Sequence, residues 1–129
     1  MARPLKLNAD YFSHDASMRD DPRVKAIRRK FGLRGYAIWC MLLEVLTDSE
    51  NFKHKFNDLS IELLSGDFDI EPDILDEMVQ YMITLELLQS EGGFLRCLTL
   101  EKRFEGLISK RERQRNQVID DDNTQSKVK

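Results

Sequence analysis

The sequence predicts a mainly α fold, a winged helix-turn-helix with a small β-hairpin wing, and three observations lead there. Apolar residues recur at helical spacing in five stretches. Two of these stretches are separated by a short turn and followed by two short apolar runs around Gly92-Gly93. The 129 residues, 41% of them hydrophobic, suit one domain of ordinary size, about 100 to 150 residues. The domain is expected over 1–115, followed by a polar tail over 116–129.

Residues 1–19 have no sustained period and are punctuated by Pro4, Asn8, Ser13 and Ser17, so they read as an irregular lead-in pinned to the core by Tyr11 and Phe12. Asp21-Pro22 is a helix start: a carboxylate accepts free N–H groups and proline is pre-set for the first helical position. Val24, Ile27 and Phe31 follow at helical spacing, and Gly32 closes a helix over 22–31. Gly35 is read as the opening of a second helix, Tyr36 to about Thr47, apolar nearly all round and therefore central to the core.

Phe52-Lys53-His54-Lys55-Phe56 has the length of a short edge strand. Asn57 caps a third helix, with Leu59, Leu63 and Leu64 on one side and Ser65-Gly66 breaking it. Glu71-Pro72 starts a fourth over 72–85, where Ile74, Leu75, Met78, Val79, Met82 and Ile83 keep helical spacing. Residues 87–90 and 94–98 form the hairpin around the glycine turn. Thr99 caps a last helix with Leu100, Phe104, Leu107 and Ile108 on one face. From Asn116 the chain is polar, carries Asp120-Asp121-Asp122, and is expected to be disordered because it cannot offset its ordering entropy.

The opening residues lack the apolar run of a secretory signal, so the chain is expected in the cytoplasm. The longest apolar run, Ala37 to Leu43, falls far short of the roughly 20 residues that span a bilayer, and no membrane partner is expected. Cys40 and Cys97 sit where buried hydrophobes belong and read as reduced core thiols. A net charge of −3 says little about partners; the distribution of charge says more.

Asp10-Tyr11-Phe12-Ser13-His14-Asp15, Asp21-Pro22-Arg23-Val24-Lys25, Phe31-Gly32-Leu33-Arg34-Gly35-Tyr36-Ala37-Ile38-Trp39 and Leu42-Leu43-Glu44 carry a resemblance in their order and spacing. Over about residues 4–113, the chain resembles the N-terminal domain of listerial-type phage and prophage replication proteins. That domain is similar to the N-terminal winged helix of DnaD-like primosomal proteins. The resemblance implies a winged-helix module of a replication-initiation or replisome-organising protein, with interaction roles at least as prominent as base reading.

No catalytic constellation is found, and no enzyme activity, cofactor, metal or small-molecule substrate is expected. His14 and His54 are the only histidines, and neither has a cysteine or carboxylate at metal-ligand spacing. His14-Asp15 lacks the further ligands of a metal phosphohydrolase. Gly92-Gly93 is followed by no lysine and hydroxyl residue opening a helix, so it is a turn and not a phosphate cradle.

The helix in the reader position, 72–85, has a polar face of Asp73, Asp76, Glu77, Gln80 and Thr84. Duplex DNA carries one negative charge per ~1.7 Å of axis, so these carboxylates oppose groove insertion. Asp73, Asp76 and Glu77 are either a solvated acidic face that offsets the helix dipole or a surface for a basic protein partner. Cations collect elsewhere. Arg23, Lys25, Arg28, Arg29 and Lys30 surround the first helix, and Arg34 extends the cluster. Lys102, Arg103, Lys110 and Arg113 form one strip of the last helix, apart from Glu101, Glu105 and Glu112, and Arg96 in the wing can join them. Such strips either track phosphates without reading sequence or are solvated helix faces. Two functions follow: a replication-associated domain that binds the DNA backbone non-specifically, or a module that docks on replication proteins or on further copies of itself.

Overall fold

The Asp21 carboxylate accepts the Arg23 N–H at 2.8 Å with Pro22 in the first turn, so the first helix starts where the sequence places it. In the computed structural model, which describes residues 7–106, 109–111, 113 and 114, helix α1 covers Pro22–Asp48 and is broken at one residue, Gly32 (φ 72°, ψ −162°). Glycine adopts that positive φ without steric cost. The two helices expected from the sequence are therefore both present, as arms of α1 on either side of Gly32, and the second begins directly after that residue.

Gly35 does not open that arm; it lies inside it, buried. A Cβ there would sit 2.7 Å from Phe31 Cβ and 2.8 Å from Ile27 Cγ2, so the missing side chain lets the two arms approach. Ile38, Leu42 and Leu46 of the second arm are at most 1% exposed, which makes it the central core helix.

A 3₁₀ turn, Glu50–Phe52, leads into strand β1 (Lys53–Lys55). Phe52 belongs to this turn, with its ring stacked on Phe104 at 4.6 Å, and not to the strand. Helix α2 (Asp58–Phe68) is capped by Asn57, which accepts the Ser60 N–H at 2.8 Å. It continues through Ser65-Gly66 and ends at Asp69 in the left-handed region (φ 55°). Helix α3 (Pro72–Thr84) buries Leu75, Met78, Val79 and Met82, the inner face expected from its period.

Strands β2 (Gln89–Glu91) and β3 (Phe94–Arg96) form the expected hairpin, with Gly92 and Gly93 both at positive φ (59° and 80°), as a tight two-residue turn requires. The sheet is antiparallel with order β1-β3-β2, and β1 is an edge strand. Leu95 points into the core, while the cross-strand rows Lys53, Arg96, Gln89 and Lys55, Phe94, Glu91 both lie on the face opposite Leu95. Residues 98–106 are helical and form α4, as are 109–111, 113 and 114. Thr99 thus lies inside the helix, and Leu100 and Phe104 are buried as expected. Leu107, Ile108 and the tail 116–129 lie outside the described residues.

The lead-in is anchored differently from the expectation. Tyr11 is 81% exposed, and Phe12 only partly packs against the core. Ala9 is buried instead; its N–H donates to Thr47 O at 3.0 Å, and the Asn51 N–H donates to Leu7 O at 2.8 Å. The reason is chemical: two backbone hydrogen bonds and a small buried side chain fix an irregular segment against a helix end, where free carbonyls need donors.

The faces of α2 also differ from the expectation. Leu64, Phe68, Ser60 and Ser65 point inward, whereas Leu59 and Leu63 are 63% and 67% exposed. Both buried serines are satisfied locally. Ser60 Oγ donates to Asn57 Oδ1 at 3.0 Å and Ser65 Oγ to Glu62 O at 2.7 Å, which removes the penalty for an unpaired buried hydroxyl.

Candidate nucleic-acid interface

The cations read from the sequence fall into two groups once their contacts are known. Arg23 is held by Asp21, with Nη2 to Oδ2 at 3.1 Å and Nε to Oδ1 at 3.2 Å, and Nη1 donates to Glu86 O. The Arg23 guanidinium, assisted by backbone N–H groups at the helix start, holds the Asp21 carboxyl below its ordinary range. Half-buried Arg28 donates from Nη2 to Arg19 O at 2.8 Å, which ties α1 to the 3₁₀ turn Met18–Asp20. Arg34 meets Glu71 at 2.8 Å and joins the break in α1 to the start of α3.

Arg96 lies between two acids, Glu101 (2.6 Å) and Glu91 (2.7 Å), and its side chain is only 18% exposed. Arg103 pairs with Asp15 and donates to Ser13 O at 2.9 Å. These five arginines fasten the lead-in, the break in α1 and the hairpin to the body of the domain.

Lys25, Arg29, Lys102, Lys110 and Arg113 are exposed, and none meets an acidic partner among the described residues. Lys25 and Arg29 are one helical turn apart. With Lys30, Pro22, Ala26 and Tyr81 they line a groove of about 630 Å³ between α1 and α3. The Lys30 ammonium stands 4.3 Å from the Tyr81 ring centroid, a cation–π contact that aims it along the groove wall. Sequence reasoning missed Tyr81, because nothing in a helical period says which neighbouring element will face it.

Asp73 and Glu77 are exposed on α3 and Asp76 is half-buried, so the acidic face expected of this helix is real. Asp76 accepts from Gln80 Nε2 at 3.4 Å. Two exposed lysines, Lys53 and Lys55, lie on edge strand β1 and were not singled out by charge clustering, because His54 and two phenylalanines interrupt the run.

A second cleft, of about 680 Å³, opens between the lead-in and the body. Phe12, Met18, Trp39, Leu43 and Leu100 line it, and Asp15, Asp21, Arg23 and Arg103 lie at its polar side, where both arginines are already paired. Cys97 contributes to the same wall, and burial pushes its thiol pKa up, as it does for Cys40. His14 Nε2 is 3.1 Å from the Tyr36 hydroxyl, and burial lowers the His54 pKa. Among the described residues, no three histidine, cysteine or carboxylate side chains come together in a metal-binding group. No described helix is long and apolar enough to cross a membrane.

The fold and surface together define a mainly helical domain with a small antiparallel sheet, a cationic groove on one helix and an acidic face on another. The chain belongs to the Lin1244/Lin1753-like N-terminal family, whose model matches residues 11–97. It is 30% identical over 118 residues to a protein of Listeria innocua described as an uncharacterized phage-related protein, Lin1244/Lin1753. That match takes in 88% of this chain and 38% of the relative's length. No solved structure matches the chain.

Proposed function

We propose that the chain is a winged-helix domain, acting in the cytoplasm in phage or prophage DNA replication, that holds nucleic acid by its phosphates without reading sequence. The order of helix, edge strand, helix, helix and hairpin, with the sheet arranged β1-β3-β2, supports the winged-helix reading. The resemblance to DnaD-like domains and the phage-related description of the Listeria relative support the replication setting.

One observation carries the binding reading. Lys25 and Arg29 remain without an acidic partner and line, with Lys30, a groove that a phosphate chain can follow. Lys102, Lys110 and Arg113 extend the set on the last helix. Arg23, Arg28, Arg34, Arg96 and Arg103 are assigned to the protein's own architecture, so their part in binding is indirect. Helix α3, although in the reader position, is opposed by Asp73 and Glu77. The domain acts as a binding module and not as an enzyme.

Fluorescence anisotropy with labelled duplexes of unrelated sequence tests this. Similar affinities for all duplexes are expected at low salt, and Lys25→Glu with Arg29→Glu weakens every one of them by at least about tenfold. Failure of the wild-type chain to bind at low salt would overturn the reading.

A protein-docking role is favoured by a different observation, the outward leucines of α2, and does not require the cationic groove.

A further inference from the structure

Helix α2 shows an inverted amphipathicity. Leu59 and Leu63, one turn apart, are 63% and 67% exposed, whereas the serines beside them are buried. The Ser60 and Ser65 hydroxyls both have hydrogen-bond partners within the helix or its cap, so they tolerate the inward position that the burial of Leu64 and Phe68 gives them. Asp58, Glu62 and Asp67 border the two leucines, all exposed, and none meets a cationic partner among the described residues. The face is thus an apolar centre with a rim of uncompensated negative charge.

We propose that this face docks a basic amphipathic helix of a partner protein. The partner's apolar stripe covers Leu59 and Leu63, and its lysines or arginines meet Asp58, Glu62 and Asp67. Charge complementarity selects this occupant. A second copy using the same face would set acid against acid, because a two-fold contact brings each patch onto itself. Nucleic acid is repelled by the same carboxylates. Leu59 and Leu63 are an i, i+4 apolar pair on one side of α2, the spacing at which a helix packs against the apolar stripe of another.

The test uses the full chain and two labelled synthetic helices, one built of leucine and lysine and one of leucine and glutamate in the same pattern. The leucine–lysine helix binds saturably and the leucine–glutamate helix does not. Leu59→Ser with Leu63→Ser weakens binding by at least about tenfold, as does the triple change Asp58→Asn, Glu62→Gln and Asp67→Asn. Leu33→Ser, at a leucine 80% exposed outside this face, changes nothing. Circular dichroism verifies folding, and Leu59→Ala with Leu63→Ala, which favours the helix, replaces the serine pair if that pair unfolds. Equal binding by wild type and the leucine variants overturns the proposal, as does absence of saturable binding. Sedimentation on the same samples gives the remaining outcome: a wild-type oligomer that the leucine variants dissolve would make a second copy the occupant and overturn it.

Discussion

Arg96 on β3 donates to both carboxylate oxygens of Glu101 on α4, from Nε at 2.8 Å and from Nη2 at 2.6 Å. Glu91, across the hairpin, takes Nη1 at 2.7 Å. A cation that the sequence groups with a strip on the last helix is, in space, a fastener between the sheet and that helix. Arg96→Met should therefore lower stability by about 1–3 kcal/mol, because it leaves the mostly buried Glu101 carboxylate unpaired. Urea unfolding measures the loss, and duplex affinity of the folded variant should match wild type.

Gly35 and Gly66 should respond in opposite directions to alanine. At Gly35 the new methyl meets Phe31 Cβ at 2.7 Å and the Ile27 carbonyl at 3.2 Å, and such overpacking costs about 1–3 kcal/mol. At Gly66, inside α2, nothing lies within 4 Å, and alanine should stabilise by about 0.5–1 kcal/mol through helix propensity. Thermal or chemical denaturation of the two variants side by side checks the contrast.

Asp21 links stability to pH. Its carboxyl ionises below its ordinary value in the folded chain, first through Arg23 and then through helix-start N–H groups. The stabilisation is full above the unfolded value of about 3.9 and is lost as pH falls through the lower folded value. Asp21→Ala should cost about 1 kcal/mol at pH 7, as the loss of a helix cap does. The gap between variant and wild type should narrow at acid pH. Urea unfolding across a pH series reads it, and a constant gap would contradict the assignment.

Neighbouring leucines on α2 should differ sharply. Leu64 is 6% exposed, and truncation to alanine should cost about 2–5 kcal/mol. Leu63→Ala should change stability by less than about 0.5 kcal/mol, since the side chain already faces water. A reversed order would mean that α2 is rolled the other way.

Helix starts were legible because Asp21, Asn57 and Pro72 carry their function in local chemistry, and the hairpin was legible because Gly92-Gly93 supplies two positive-φ positions in a row. The roll of α2 was not, since Leu59, Leu63 and Leu64 make an acceptable inner stripe in sequence. The burial of Leu64 and Phe68 in the core sets the other roll, and local hydrogen bonds let Ser60 and Ser65 go inward with them. Gly35 was misread for a related reason: a glycine that permits close approach and one that opens a helix look alike without the neighbouring arm. Which cations remain available was the least legible feature. Arg34 and Glu71 are 37 residues apart, and Arg103 and Asp15 are 88 apart, so charge clustering along the chain counted as surface what the fold had already paired.

The salt dependence of duplex affinity reports whether Lys25 and Arg29 meet phosphates. Neutralising Lys25 and Arg29 together, as Lys25→Gln with Arg29→Gln, should weaken binding and reduce the slope of log affinity against log salt by about 1.8, or about 0.9 for each phosphate contact removed. A slope and affinity identical to wild type would contradict the claim that the α1 groove holds the phosphate backbone.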